Sequence, residues 1–140
     1  MRNRPVPSSL IWLAALILLS IATAVIAGGV IYFQTAQTAQ SQADTITRGD
    51  WKRGRLSIAR YGCGSCHVIA GITGANGKVG PDLTHIAQRS EIAGKLPNDP
   101  DAMIRWLIHP QAIEPKGGMP DQGVSDTEAR NMAAFLYSRR

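Results

Sequence analysis

The sequence predicts an all-α protein, a small domain of helices and loops preceded by a single N-terminal transmembrane helix. Three observations lead there. Leu10 to Phe33 is an almost wholly apolar run of 24 positions inside a stretch, Pro5 to Ala43, that holds no charged residue. Past residue 47, helical periods with capping residues recur, while no run alternates apolar and polar side chains over a strand's length. The chain carries only two cysteines and is 6% aromatic. A domain of about 90 residues with so few large side chains has a small core, no disulfide framework, and a need for another staple.

At 1.5 Å per residue, Leu10 to Phe33 makes a helix of about 36 Å, enough to span a bilayer core with some tilt. Trp12 lies near one end and Tyr32 and Phe33 at the other, where interfacial aromatics belong. Arg2 and Arg4 precede the run. By the positive-inside rule they keep residues 1–9 cytoplasmic, make 10–33 the anchor, and send the remainder across the membrane. A cleaved signal peptide ending near Ala22-Thr-Ala24 is the competing reading. The apolar run continues past Ala24, which favours an uncleaved anchor, and either reading exports the domain. Residues 34–47, made of Gln, Thr, Ala, Ser, Ile and one Asp, show no hydrophobic face. They read as a flexible linker with a reach of about 20 Å, leading to a domain over 48–140.

The net charge of +5 shrinks on inspection. Two of the 15 basic residues are Arg2 and Arg4, which leaves 13 against 10 acidic ones. That balance lacks the dense basic face and interleaved aromatics of a nucleic-acid binder. Arg48, Lys52, Arg53, Arg55 and Arg60 form one local cluster, read first as a solvated helix face and second as a patch for anionic lipid or an acidic partner.

Within the domain, Asp50 caps a predicted helix from Trp51 that Gly62 closes. Asp99 and Pro100 open a second, which stops before Pro110. Ser125-Asp-Thr-Glu128 is a capping box for the last, with Ala129, Met132, Ala133 and Leu136 on one face. The stretch from Gly71 to Gly80 is glycine-rich, and three prolines stand between 110 and 120.

Cys63-Gly-Ser-Cys66-His67 is the attachment sequence for haem c. Cysteines three positions apart lie about one helical turn from each other, which matches the separation of the two haem vinyl groups. His67, next to the second thioether, is then placed to reach the iron. A zinc site needs further ligands that the cysteine count denies, and a thioredoxin-like redox pair needs a parallel sheet. The other face of the iron takes Met119, Met103, Met132, His85 or His109, or stays open. Met119, in the polar loop Lys116-Gly-Gly-Met-Pro120, has no core to fill, whereas Met103 and Met132 sit on apolar helix faces. Histidine and methionine together suit the iron to passing electrons and not to binding a substrate.

With these residues in view, positions 50–140 resemble a class I cytochrome c. They are most similar to the cytochrome c domain fused to subunit II of some bacterial haem-copper oxidases. The resemblance rests on Cys63-Gly-Ser-Cys-His67, Gly80-Pro-Asp-Leu-Thr-His85, Leu96-Pro-Asn98, Trp106-Leu107, Pro110-Gln111, Met119-Pro120 and the helix bearing Phe135, Leu136 and Tyr137. It implies the cytochrome c fold around one covalent haem c, with Pro81 offering its carbonyl to the far nitrogen of His67. It also implies that Gly54 lets the first domain helix cross the last near Leu136 or Tyr137, and that Trp106 and Arg89 meet a haem propionate. Glu114-Pro115-Lys116 and His109 depart from the family's charge order in the ligand loop, which bears on docking or potential and not on ligation. Nothing resembles the copper-binding domain of subunit II.

The expectation is therefore a mono-haem electron carrier, not an enzyme, anchored in the bacterial cytoplasmic membrane with its domain on the periplasmic side. Its partners would be an upstream donor and a membrane-bound oxidase, with no nucleic acid and no small-molecule substrate. The cytochrome subunit of a nitric oxide reductase and a haem-based sensor are the alternatives.

Overall fold

A computed structural model describes residues 7–139; Arg2 and Arg4, on which the expected orientation rests, lie outside them. The chain divides into two compact units, residues 1–36 and 37–140. Helix α1, Ser8–Thr47, contributes to both.

In the first unit every residue from 7 to 35 except Gly29 is exposed, Trp12 and Tyr32 by more than 70%. So long an apolar surface left bare is unfavourable in water, and the helix is long and apolar enough to cross a membrane. The hydroxyls of Ser20 and Thr23 donate to the carbonyls of Leu16 and Leu19, both at 2.8 Å, so these polar groups are satisfied within the helix, as a lipid environment demands.

The end of α1 differs from expectation. Residues 34–47 are helical as the rest of α1, not a coil-like linker. Alanine and glutamine, which fill much of this stretch, are good helix formers whether or not they make an apolar face. Ala43 and Thr47 are buried, and Asp44 accepts the backbone N–H of Trp51 at 2.7 Å, so the last turns of α1 are held by side-chain packing and a capping-type bond. Burial raises the Asp44 carboxyl above its ordinary value, the Trp51 amide opposing the shift.

The predicted domain helices form where their caps stand. In α2, Trp51–Arg60, the Asp50 carboxylate accepts from the amides of Lys52 and Arg53. In α3, Pro100–Ile108, Asp99 accepts from Ala102 at 2.8 Å. A single turn, α4, Pro110–Ile113, follows, and α5, Asp126–Tyr137, carries the full capping box of Ser125 and Glu128. Two further single turns, of 3-10 type, cover Cys63–Ser65 and Ile86–Gln88. The sequence reading missed a short hairpin, in which Glu91–Ile92 (β1) pairs antiparallel with Leu96–Pro97 (β2). Two-residue strands leave no alternating pattern to detect.

Helices α2 and α5 cross, and α3 packs beside them. Ile58, Met103, Met132, Phe135 and Leu136 fill the core between them. The crossing is set by Gly54, where an added Cβ would stand 1.8 Å from the Asn131 carbonyl oxygen and 3.0 Å from the Met132 nitrogen. It lies more than a turn before the Leu136–Tyr137 region expected. The bulky pair is engaged elsewhere, Leu136 on the cleft described below and Tyr137 donating its hydroxyl to Asn98 at 2.7 Å. Asn131 accepts the Asp50 N–H at 2.8 Å, so the α2 N-terminus is tied to α5 at the same level.

Candidate cofactor site

Cys63 to His67 form one tight turn, the amides of Cys66 and His67 both donating to the Cys63 carbonyl at 3.3 and 3.0 Å. The glycine-rich segment wraps this turn with backbone hydrogen bonds: Gly77 N–H to Gly64 and Gly80 N–H to Cys66. The wrap is close. A Cβ on Gly80 would lie 2.2 Å from Cε1 and 2.6 Å from Nδ1 of His67, so only glycine leaves the imidazole its place.

The ring is fixed on its other side as well. His67 Nδ1 stands 2.7 Å from the Pro81 carbonyl oxygen. A carbonyl only accepts, so Nδ1 carries a proton, and in the neutral ring this tautomer leaves the Nε2 lone pair free for a ligand bond. In the turn that follows, Asp82 accepts the Thr84 N–H at 2.7 Å. Hydrogen bonds from Thr84 hold the exposed Asp82 carboxyl below its ordinary value.

Between this wall and the rest of the domain runs a cleft of about 370 Å³, within the range of roughly 300–1,000 Å³ usual for cofactor sites. Cys63, Cys66 and His67 line it together with Pro81; Met119 lines it too. Ile69, Leu83, Ile86, Ile92 and Leu107 make its floor and sides apolar. Both cysteines are free and half-buried. Burial pushes the Cys63 thiol up, its own backbone bond opposing and neighbouring Cys66 adding. A thiol raised in this way is not activated for disulfide exchange, which counts against the thioredoxin-like reading. Among the described residues, no three histidine, cysteine, aspartate or glutamate side chains converge as they would around an ion.

Of the candidates for the second axial position, the structure brings Met119 and Met103 to the cleft. Met103 is 2% exposed and belongs to the core, whereas Met119 is half-buried at its edge. Met132 is buried in the core away from the lining, and His85 and His109 are exposed and cap short turns. Trp106 and Arg89 both line the cleft, Arg89 donating to the Asp82 carbonyl at 2.6 Å. Glu114, placed in the ligand loop from the sequence, lines it as well, and so does Gln122, which sequence reasoning did not single out.

The apolar cleft, the paired free cysteines on its wall and a histidine locked in the tautomer that leaves Nε2 open fit a covalently bound haem. The family profile for cytochrome c matches residues 52–140, well over half of the chain.

The chain belongs to the cytochrome c family.

That family binds haem c covalently and transfers electrons. A curated relative, cytochrome c oxidase subunit 2 of Alkalihalophilus pseudofirmus, is 32% identical over 89 residues, 61% of this chain. The cytochrome chain spans only a quarter of that relative's length. No solved structure gives a significant match.

Proposed function

We propose that this cytochrome c is a membrane-anchored carrier of single electrons, holding one haem c and delivering to or within a haem-copper oxidase. The observation that carries the reading is the shared cleft, whose lining brings together Cys63, Cys66, His67 and Met119. Cys63 and Cys66 would form the thioethers, and His67 Nε2 and the Met119 sulfur would be the axial donors. Held by these residues, a haem would supply one-electron redox chemistry.

The chain's own residues do the rest. Pro81 keeps the His67 tautomer and ring orientation constant, so no proton need move at Nδ1 when the charge changes. The apolar lining excludes water and favours the less charged state. Gly80 prevents the ring from being displaced. No acid, base or nucleophile constellation stands with these residues, so the reading assigns the chain no catalysis. The apolar part of α1, exposed over its length, supports a single-pass anchor in the cytoplasmic membrane, and Arg2 and Arg4 before it support a haem domain on the periplasmic side. Tethering would raise the domain's local concentration near membrane partners without adding affinity. The likeness to an oxidase subunit supports an oxidase as electron acceptor.

The test is the reduced-minus-oxidised spectrum of washed membranes containing the protein, repeated under carbon monoxide. A sharp c-type spectrum in the membrane fraction, unchanged by the gas, is the expected result. Uptake of carbon monoxide would move the reading to a sensor. Colour confined to the soluble fraction would remove the anchor, and co-purification with a nitric oxide reductase would replace the oxidase.

A further inference from the structure

We propose that Gln111 is a positioning residue for Met119, a hub of hydrogen bonds that decides where the thioether sulfur stands. The inference rests on the reading of Met119 as an axial donor. Three donors of Gln111 act on alternate residues of the ligand loop. Its side-chain Nε2 donates to the carbonyls of Gly117 at 2.9 Å and Met119 at 2.6 Å. Its backbone N–H donates to the Asp121 carboxylate at 3.1 Å. Both hydrogens of the amide are thus spent on carbonyls, which only accept, and this fixes the amide's orientation.

Beyond the packing of the Met119 side chain at the core's edge, the loop's own backbone holds it little. Among the described residues, 118–124 make no backbone–backbone hydrogen bond, and Gly117-Gly118 gives the chain unusual freedom. Pro120 restricts the backbone of Met119 itself but does not say where the residue stands relative to the cleft. The ion pair of Lys95 with Glu114 fastens the loop's beginning to the β1–β2 hairpin, five residues before the sulfur. Gln111 is different, because it binds the carbonyl of Met119 directly. Its own location is firm: it lies in α4, and the Pro110 before it is buried. The Gln111 side chain therefore transmits the position of a buried turn to a loop that does not set its own.

The decisive experiment uses the full-length holoprotein and two substitutions. Gln111→Glu keeps the shape but turns the donor group at neutral pH into an acceptor facing two carbonyls. Expected at pH 7 are a weakened sulfur-to-iron charge-transfer absorption in the ferric protein and an imidazole affinity raised at least tenfold, which corresponds to about 1.4 kcal/mol. As pH falls through the range where the introduced carboxyl takes up a proton, it regains one O–H donor, and the absorption should return while wild type stays level. Gln111→Asn, which withdraws the amide by one methylene, should give an intermediate imidazole affinity and serves if the first variant does not fold. Wild-type absorption and imidazole affinity in the folded variants, at every pH, would overturn the role of Gln111. Met119→Ala is the control: if it keeps the charge-transfer absorption, the ligand assignment itself has failed, a result distinct from the failure of Gln111.

Discussion

The two walls of the haem cleft are built by different means. On the histidine side, residues 63–80 are bound to one another by backbone hydrogen bonds, and glycines let the segments touch. On the methionine side, residues 114–122 follow an irregular path with backbone bonds only at Glu114 and Gly117, and the rest is tied by Gln111, one ion pair and prolines. The first wall closes on itself through backbone contacts within one stretch of chain. The second depends on side-chain bonds, from Gln111 just before it and from Lys95 of the hairpin. A backbone-built wall fails when atoms are added to it, a side-chain-built wall when atoms are taken away. The contrast also suits the proposed roles. A histidine held in one tautomer must not shift, whereas a thioether on a permissive loop can be tuned without disturbing the attachment.

The largest effect expected comes from the cysteines. Cys66→Ala or Cys63→Ala should leave little stable holoprotein, read as covalent haem per mole of purified chain, since the staple of a small core is lost. Abundant haem-loaded double mutant would contradict the attachment. Next is Gly80→Ala, which drives a Cβ into the His67 ring and should cost about 3 kcal/mol in urea unfolding, at the upper end of overpacking penalties. Gly74→Ala, in the same segment with positive φ but open space around it, should cost only about 1 kcal/mol. Equal losses would mean that backbone strain, not the contact with His67, governs this wall. On the other wall, Met119→Ala should leave the fold standing but open the iron to carbon monoxide. It should also lower the reduction potential on the order of 0.1 V, a modest part of the roughly 0.8 V that axial ligands span. An unchanged potential and spectrum would shift the ligand to Met103, the other methionine of the cleft.

The smallest effect lies behind both walls. Tyr137 donates to Asn98, and Asn98 in turn donates to the carbonyls of Ile86 and Arg89. Burial, with help from the charge of Asp99, raises the Tyr137 hydroxyl well above its ordinary value. The neutral form is therefore favoured in the folded state. Its contribution is complete below about pH 10 and falls as pH rises further, because the unfolded chain loses that proton first. Tyr137→Phe should cost about 1 kcal/mol near neutrality and flatten the alkaline decline in unfolding free energy. An undiminished decline would place its origin in another group.

Much of this was legible in the order of residues. Asp50, Asp99 and Ser125 marked helix starts correctly because a cap is a local bond between neighbours. The Cys63–His67 motif was readable for a similar reason, since it lies within one turn, whereas the Pro81 carbonyl came only from the family resemblance. Residues 34–47 were misjudged because the absence of an apolar face was taken as the absence of a helix. Alanine and glutamine need no such face, and the contacts of Ala43 and Thr47 are invisible until the domain is folded. The α2–α5 crossing was assigned to the right glycine and the wrong partner, since sequence shows that a glycine permits close approach but not which backbone arrives.

By itself, then, the sequence determined the helices, the attachment turn and the apolar first unit of α1, all of which follow from interactions among residues within a few positions of each other. Only the tertiary structure decided that Gly80 stands against His67, that Met119 and Met103 reach the cleft while Met132 and the remaining histidines do not, and that Gln111 holds the methionine loop. The physical reason is that these contacts join segments whose separation is set by packing and loop closure, and neither leaves a periodic trace in the chain.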